Sequence, residues 1–152
     1  MVIYEIVGAD LWKRIFFSLF CGFLIGLERQ IRGKPVGIRT SILICMGSML
    51  YIYLGHELAE RSDPTRVLGQ LITGIGFLGA GVIMNREGLI LGMTSAAVIW
   101  LLAGIGAALG FEEYGVAIVI CFVSLFVLTG VQILEDVFKA LRHEVYNQSN
   151  QE

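Results

Sequence analysis

Residues 88–111 read GLILGMTSAAVIWLLAGIGAALGF, 24 residues in succession without a charge. About 20 apolar residues let an α-helix cross a bilayer, whereas runs of about 10–14 are the usual length in a soluble core. Lipid is therefore the solvent this stretch is built for, and the fold depends on how many other stretches share it.

Working outward, four further uncharged runs cover 15–27, 40–55, 67–85 and 114–134, with 13, 16, 19 and 21 residues. The runs at 67–85 and 114–134 are long enough unaided. The one at 40–55 reaches across if Arg39 and His56 sit at the two interfaces. The first is short, and it spans only if Lys13 and Arg14 snorkel at one end or Glu28 and Arg29 lie within the membrane edge at the other. Lys13-Arg14 before an apolar run resembles a signal peptide, but the lead carries Glu5 and Asp10 and no small-x-small cleavage site follows. Composition agrees with lipid: 56% of residues are hydrophobic and 16% charged, against about 45–50% and about 25% in soluble domains. A soluble domain of this size buries only about 70% of the surface its unfolded chain exposes, too little to hide the excess. The expected fold is an all-α integral membrane protein, a bundle of about five transmembrane helices over residues 1–138, with a short polar cytoplasmic tail over 139–152.

Lysine and arginine in short loops set the orientation of such a bundle. Arg29, Arg32, Lys34, Arg39, Arg86, Lys139 and Arg142 share one side; Lys13, Arg14, Arg61 and Arg66 share the other, together with Glu57, Glu60, Asp63, Glu112 and Glu113. The expectation is an N-terminus outside the cell and a C-terminus in the cytoplasm, in the inner membrane of a bacterium.

Glycine is the second strong signal, with 19 in the chain. Each one inside a helix costs about 1 kcal/mol relative to alanine, and in membranes the usual return is close helix approach through small residues. Gly22 and Gly26 follow Ser18 at four-residue spacing. Gly69, Thr73, Gly76 and Ala80 form a face in the third span, which also holds Gly74, Gly79 and Gly81. Gly106 and Gly110 end the fourth. These glycines are expected to pack helices together or to pair two copies, a dimer being favoured. The third span has a livelier alternative, in which its glycines break the helix and expose backbone carbonyls to an ion or substrate. Gly74 to Gly79 also matches the Gly-x-Gly-x-x-Gly dinucleotide fingerprint, but inside an apolar run, with Ile99 where an acid is needed.

The polar residues requiring explanation are few. Glu28 and Arg29 stand where the first helix is still crossing, so buried partners are expected, and Arg39 could return after the Gly33–Gly37 turn to pair with Glu28. Lys13, Arg14, Lys139 and Arg142 read as interfacial anchors. Asp63 suits a helix N-cap before Pro64 at the first helical position. Arg66, Gln70, Thr94 and Ser95 could line a cavity with it, although hydroxyls inside a helix often bond only their own backbone. Cys21, Cys45 and Cys121 lie in apolar runs without a Cys-x-x-Cys pair and read as packing residues. His56 and His143 lack a second metal ligand at helical spacing. No nucleophile with a base and orienter is evident, so neither enzyme activity nor a cofactor is expected, and nothing points to nucleic acid.

Gly26-Leu27-Glu28-Arg29, Lys34-Pro35, Gly37, Arg39-Thr40, Asp63, Arg66, the run Gly74 to Gly81 (GIGFLGAG), Gly92 to Ala97 and Trp100 together resemble the MgtC/SapB family of bacterial inner-membrane proteins. The resemblance covers residues 10–135. It implies a membrane domain of about five spans, links to growth at low magnesium, to virulence inside host macrophages, and to inhibition of the proton-driving ATP synthase. Carried over by motif, Glu28, Arg29, Arg39, Asp63, Arg66 and Thr94 are the expected functional positions, with Thr40 in the same candidate polar cluster. Ser41 stands where the family often has His, and Thr94-Ser95 where it often has Thr-Thr; both keep polarity. Longer members carry a soluble C-terminal domain, and this chain resembles either a short SapB-type member or a longer one cut short of that domain.

Two functions are compatible with these features. One is a non-catalytic regulator that binds a copy of itself or another membrane complex through small-residue faces. The other is a transporter or channel for Mg²⁺, another cation or a small solute, with Glu28 and Asp63 as oxygen ligands for a hard cation.

Overall fold

A computed structural model of the chain describes residues 2–57, 64–86 and 89–149. Five helices follow one another, α1 (Val2–Ile31), α2 (Ile38–Glu57), α3 (Pro64–Gly81), α4 (Met93–Gly110) and α5 (Tyr114–Ser149). Between α3 and α4 lies a small antiparallel hairpin, β1 (Met84–Arg86) and β2 (Leu89–Leu91), in the register Met84↔Leu91, Asn85↔Ile90, Arg86↔Leu89. Ile38–His56, Met93–Gly110 and Tyr114–Val131 are long and apolar enough to cross a membrane by length and composition alone.

The other two helices lie alongside these three. Gly22 of α1 lies against Ile42 of α2, Gly26 against Ile38, and the Arg14 guanidinium stands 4.9 Å over the Tyr53 ring. The two helices therefore run antiparallel, and α1 accompanies α2 through nearly its whole traverse. Val67, near the start of α3, packs on Gly55 at the end of α2, while Gly79 at its other end meets Ala96 at the start of α4. That places α3 antiparallel to α4 over the same thickness. Charges near the ends of α1 shorten its uncharged run, and Arg66 and Gln70 lower the mean hydropathy of α3; both helices are placed by their neighbours.

The core sits around α4, whose Ile99, Leu102, Ile105 and Leu109 are buried with Cys21 and Ile25 of α1 and Cys45 and Met49 of α2. All three cysteines are free and fully buried. Toward the outside, Phe77 is 81% exposed and Phe126 75%; an apolar surface of this kind faces lipid.

Helix ends follow local chemistry. α1 stops at a glycine: Gly33 has φ 61, Lys34 donates its N–H to Arg29 O at 2.9 Å and Gly33 to Gln30 O at 3.1 Å, the paired bonds of a Schellman stop. α4 ends in the same way, with Glu113 donating to Ala108 O at 2.9 Å and Glu112 to Leu109 O at 3.2 Å. Here the left-handed position is held by Glu112, φ 66, and not by glycine.

Three expectations change. The uncharged runs 67–85 and 88–111 overshoot their helices, because residues 82–85 and 89–92 form the hairpin and its flanks, where strand backbone groups pair with each other rather than along a helix. α3 is continuous from Pro64 to Gly81, and its glycines all lie outside the left-handed region, so the glycine-broken third span does not occur. The helical backbone of α5 continues to Ser149 without a boundary at residue 138.

Candidate functional site

The bundle has two polar ends. At one end α1 closes beside the starts of α2 and α4. Glu28 and Arg29 are consecutive, so their side chains leave α1 about 100° apart and meet different partners. Glu28, 9% exposed, lies with Oε1 2.6 Å from Arg32 Nε one turn on. That contact is ionic but out of hydrogen-bonding alignment, and both carboxylate oxygens are buried without a hydrogen bond among the described residues. Arg29, 4% exposed, turns toward α4 and donates from Nη2 to Ser95 Oγ at 2.7 Å. Its Nε is buried and makes no hydrogen bond among the described residues.

Arg29 and Ser95 border a cavity of about 580 Å³. Its polar wall is completed by Lys34, Gly92 and Thr94, its apolar walls by Val82, Met84 and Leu91 around the hairpin and by Val127, Leu128 and Val131 of α5. Gly92 caps α4 in the left-handed conformation, φ 90, with no side-chain cap bond. Only glycine fits there, since a Cβ would run into the Val82 carbonyl. The first N–H groups of α4 thus open beside the cavity without a side-chain acceptor.

At the opposite end Arg14, 3% exposed, ties three elements together. It contacts Asp10 at 2.7 Å and Glu112 at 2.5 Å, and donates to the carbonyl oxygens of Gly110 and Leu109 at the end of α4. Tyr114 Oη donates to Asp10 Oδ1 at 3.4 Å. Sequence reading made Arg14 a snorkelling anchor; it is instead a buried clamp. The signal was present in Asp10 one turn before it and in Glu112 at the α4–α5 turn, but the pairing spans 98 residues and needs the fold.

The expected polar cluster therefore divides. Glu28, Arg29, Thr94 and Ser95 come together at the cavity end. Arg39 and Thr40 begin α2 at that end but are exposed and lie outside the cavity wall, and Glu28 pairs with Arg32 instead of Arg39. Arg66 and Gln70 are exposed near the start of α3, at the Arg14 end. Asp63 lies outside the described residues. Among the described residues no group of three or more His, Cys, Asp or Glu could hold a metal. Lys34 and Gly92 are the cavity residues that sequence reading did not single out as a site.

The packing glycines divide as well. Gly22, Gly26, Gly106 and Gly110 touch a neighbouring helix closely, Gly79 more loosely, and Gly55 joins them against Val67. At Gly69, Gly74, Gly76 and Gly81 an added Cβ would meet nothing within 4 Å. Among the described residues, no neighbouring helix closes on those four.

Residues 15–137 match the MgtC family. The chain is 40% identical over 124 residues to the putative magnesium transporter YhiD of Escherichia coli strain K12, covering 76% of this chain and 57% of that protein. It is 34% identical over 144 residues to protein SapB of Bacillus subtilis, covering 88% and 60%. It is also 34% identical over 146 residues to protein MgtC of Brucella abortus, covering 89% and 60%. The chain thus spans about 60% or less of the length of these relatives. No solved structure matches it. The chain belongs to the MgtC family of bacterial membrane proteins.

Proposed function

We propose that this protein acts in magnesium-related physiology as a non-catalytic factor of the bacterial inner membrane, binding laterally to a second copy or to another membrane complex such as ATP synthase. The observation that carries this reading is the face of α3. Gly69, Thr73, Gly76 and Ala80 are all exposed, and a Cβ at Gly69 or Gly76 would meet open space. A helix that gives up about 1 kcal/mol per glycine without using it inside its own chain has the surface that membrane helices use for close association. In this reading the N-terminus is outside and the C-terminus cytoplasmic, following the excess of Lys and Arg at the Arg29 end. The test substitutes Gly69→Ile and Gly76→Ile together. Cross-linking at Thr73→Cys in native membranes should give a dimer, or co-purification a membrane partner, that the double substitution abolishes. If Thr73→Cys cross-links to nothing and no partner is recovered from membranes, the reading fails.

Transport is the second reading, favoured by the name of the Escherichia coli relative and by the buried, unbonded carboxylate of Glu28. The cavity walls oppose it for a cation, since Arg29 and Lys34 are their charged members. Reconstituted liposomes decide between the two: Mg²⁺ flux lost in Glu28→Gln would establish transport.

A further inference from the structure

We propose that the cavity at the start of α4 is a binding site for a phosphate group, either free or on a phospholipid headgroup. Four features converge on it. The first is the N-terminus of an 18-residue helix, whose cap residue Gly92 supplies no side-chain bond, so that free N–H groups and the positive end of the helix dipole open there. Helix N-termini of this kind hold oxyanions. The second is independent of the helix. Arg29 is 4% exposed, borders the cavity, and keeps Nε buried without a hydrogen bond while Nη2 is held by Ser95. A guanidinium positioned by one neighbour and left with an unmet donor is half of a charge-assisted contact.

The third feature is sign. Among the described residues the charged members of the wall are Arg29 and Lys34, with the Thr94 hydroxyl beside them, and none is Asp or Glu. Nearby Glu28 is ion-paired with Arg32; its charge also acts on Arg29, but with Arg32 and Lys34 the cations at this end outnumber it among the described residues. A wall whose described residues supply donors and two cations, and no carboxylate, favours an oxyanion over a metal or a cationic solute. Its several donors suit a tetrahedral phosphate with more than two oxygens to share. The fourth feature is the far wall of Val127, Leu128 and Val131, apolar surface against which an acyl chain can lie. This is what a lipid-borne phosphate requires and a free one does not.

Purified protein in zwitterionic nanodiscs, titrated with inorganic phosphate, and protein in nanodiscs doped with an anionic phospholipid, examined by native mass spectrometry, test the two sources. Saturable binding in either arm supports the site and names its source. Lys34→Gln, at an exposed position, and Arg29→Lys, which keeps the charge but removes the guanidinium, should each weaken binding by about tenfold or more, as expected for losing one hydrogen bond to a charged group. Arg39→Gln, which removes one positive charge at the same end but outside the wall, should leave binding within about twofold. Three results would overturn the proposal: no saturable binding in either arm, wild-type affinity in both Lys34→Gln and Arg29→Lys, or a loss in Arg39→Gln equal to theirs, which would mean attraction to surface charge alone.

Discussion

Substituting alanine at Gly22 and Gly26 tests whether the α1–α2 seam holds the first span in the bundle. An added Cβ would lie 2.7 Å from Ile42 Cα at Gly22 and 2.6 Å from Ile38 Cα at Gly26. Both neighbours are backbone and cannot rotate aside. Carbon atoms ordinarily meet at about 3.5 Å or more, so α1 must back away by roughly 0.9 Å along the seam. Overpacking of this kind costs about 1–3 kcal/mol, against a helix-propensity gain of up to about 1 kcal/mol from removing the glycine. The gain cancels if the reference is Gly76→Ala, on an open face with nothing within 4 Å. Gly26→Ala should therefore be less stable than Gly76→Ala by about 1–3 kcal/mol. Gly22 and Gly26 are one turn apart on one face, so a single retreat of α1 relieves both clashes. The double substitution should then cost much less than the sum of the singles, as coupled neighbours do. Reversible unfolding in mixed micelles, or steric trapping in bicelles, measures all four proteins. A difference between Gly26→Ala and Gly76→Ala below about 0.5 kcal/mol, the usual size of an uncoupled surface change, or a strictly additive double, would refute the close seam.

Two more outcomes follow from the Arg14 end. Arg14→Met should lose about 2–3 kcal/mol, below the 3–5 kcal/mol typical of stranding a buried charge, because the Asp10 and Glu112 side chains are 49% and 60% exposed and regain water; an unchanged unfolding midpoint would show that Arg14 is only an anchor. Glu112→Gly should be more stable than Glu112→Ala by about 1 kcal/mol, since both lose the carboxylate but only glycine adopts φ 66 without strain; equal stabilities in the same assay would contradict the left-handed assignment. At the cavity, Gly92→Ala combines a left-handed φ of 90 with a collision at the Val82 carbonyl, and should cost more than about 2 kcal/mol; thermal aggregation at the wild-type temperature would disprove it.

What could be read from the sequence depended on the range of the interaction. Uncharged length identified α3, α4 and α5 unaided and α2 with Arg39 and His56 at the interfaces, because lipid solvates each helix on its own and the criterion needs no partner. It fell short for α1, whose place depends on a neighbour: Gly22 and Gly26 matter only because Ile42 and Ile38 are opposite. The Gly33 turn was legible because a Schellman stop is local, and the Glu112 stop was not, because a glutamate carries no signal for φ 66. Glu28 and Arg29 were rightly suspected of needing partners, yet their partners, Arg32 and Ser95, lie four and sixty-six residues away. Helical periodicity offers the first and nothing in the sequence offers the second.

Spacing alone also could not separate the two kinds of glycine face. Gly22 and Gly26 repeat every four residues and so, within one residue, do Gly69, Thr73, Gly76 and Ala80, yet the first pair is closed by α2 and the second face is open. In water an open small-residue face is unremarkable. In a bilayer the reference state differs, because lipid tails solvate leucine as well as a neighbouring helix does, and what remains to distinguish a contact is how closely two backbones approach. Large apolar residues on α5 such as Phe122 and Phe126 meet lipid as well as they would meet protein. Gly69 and Gly76 gain less from lipid than from another helix, so the proposed lateral contact is to be sought on α3 rather than on α5.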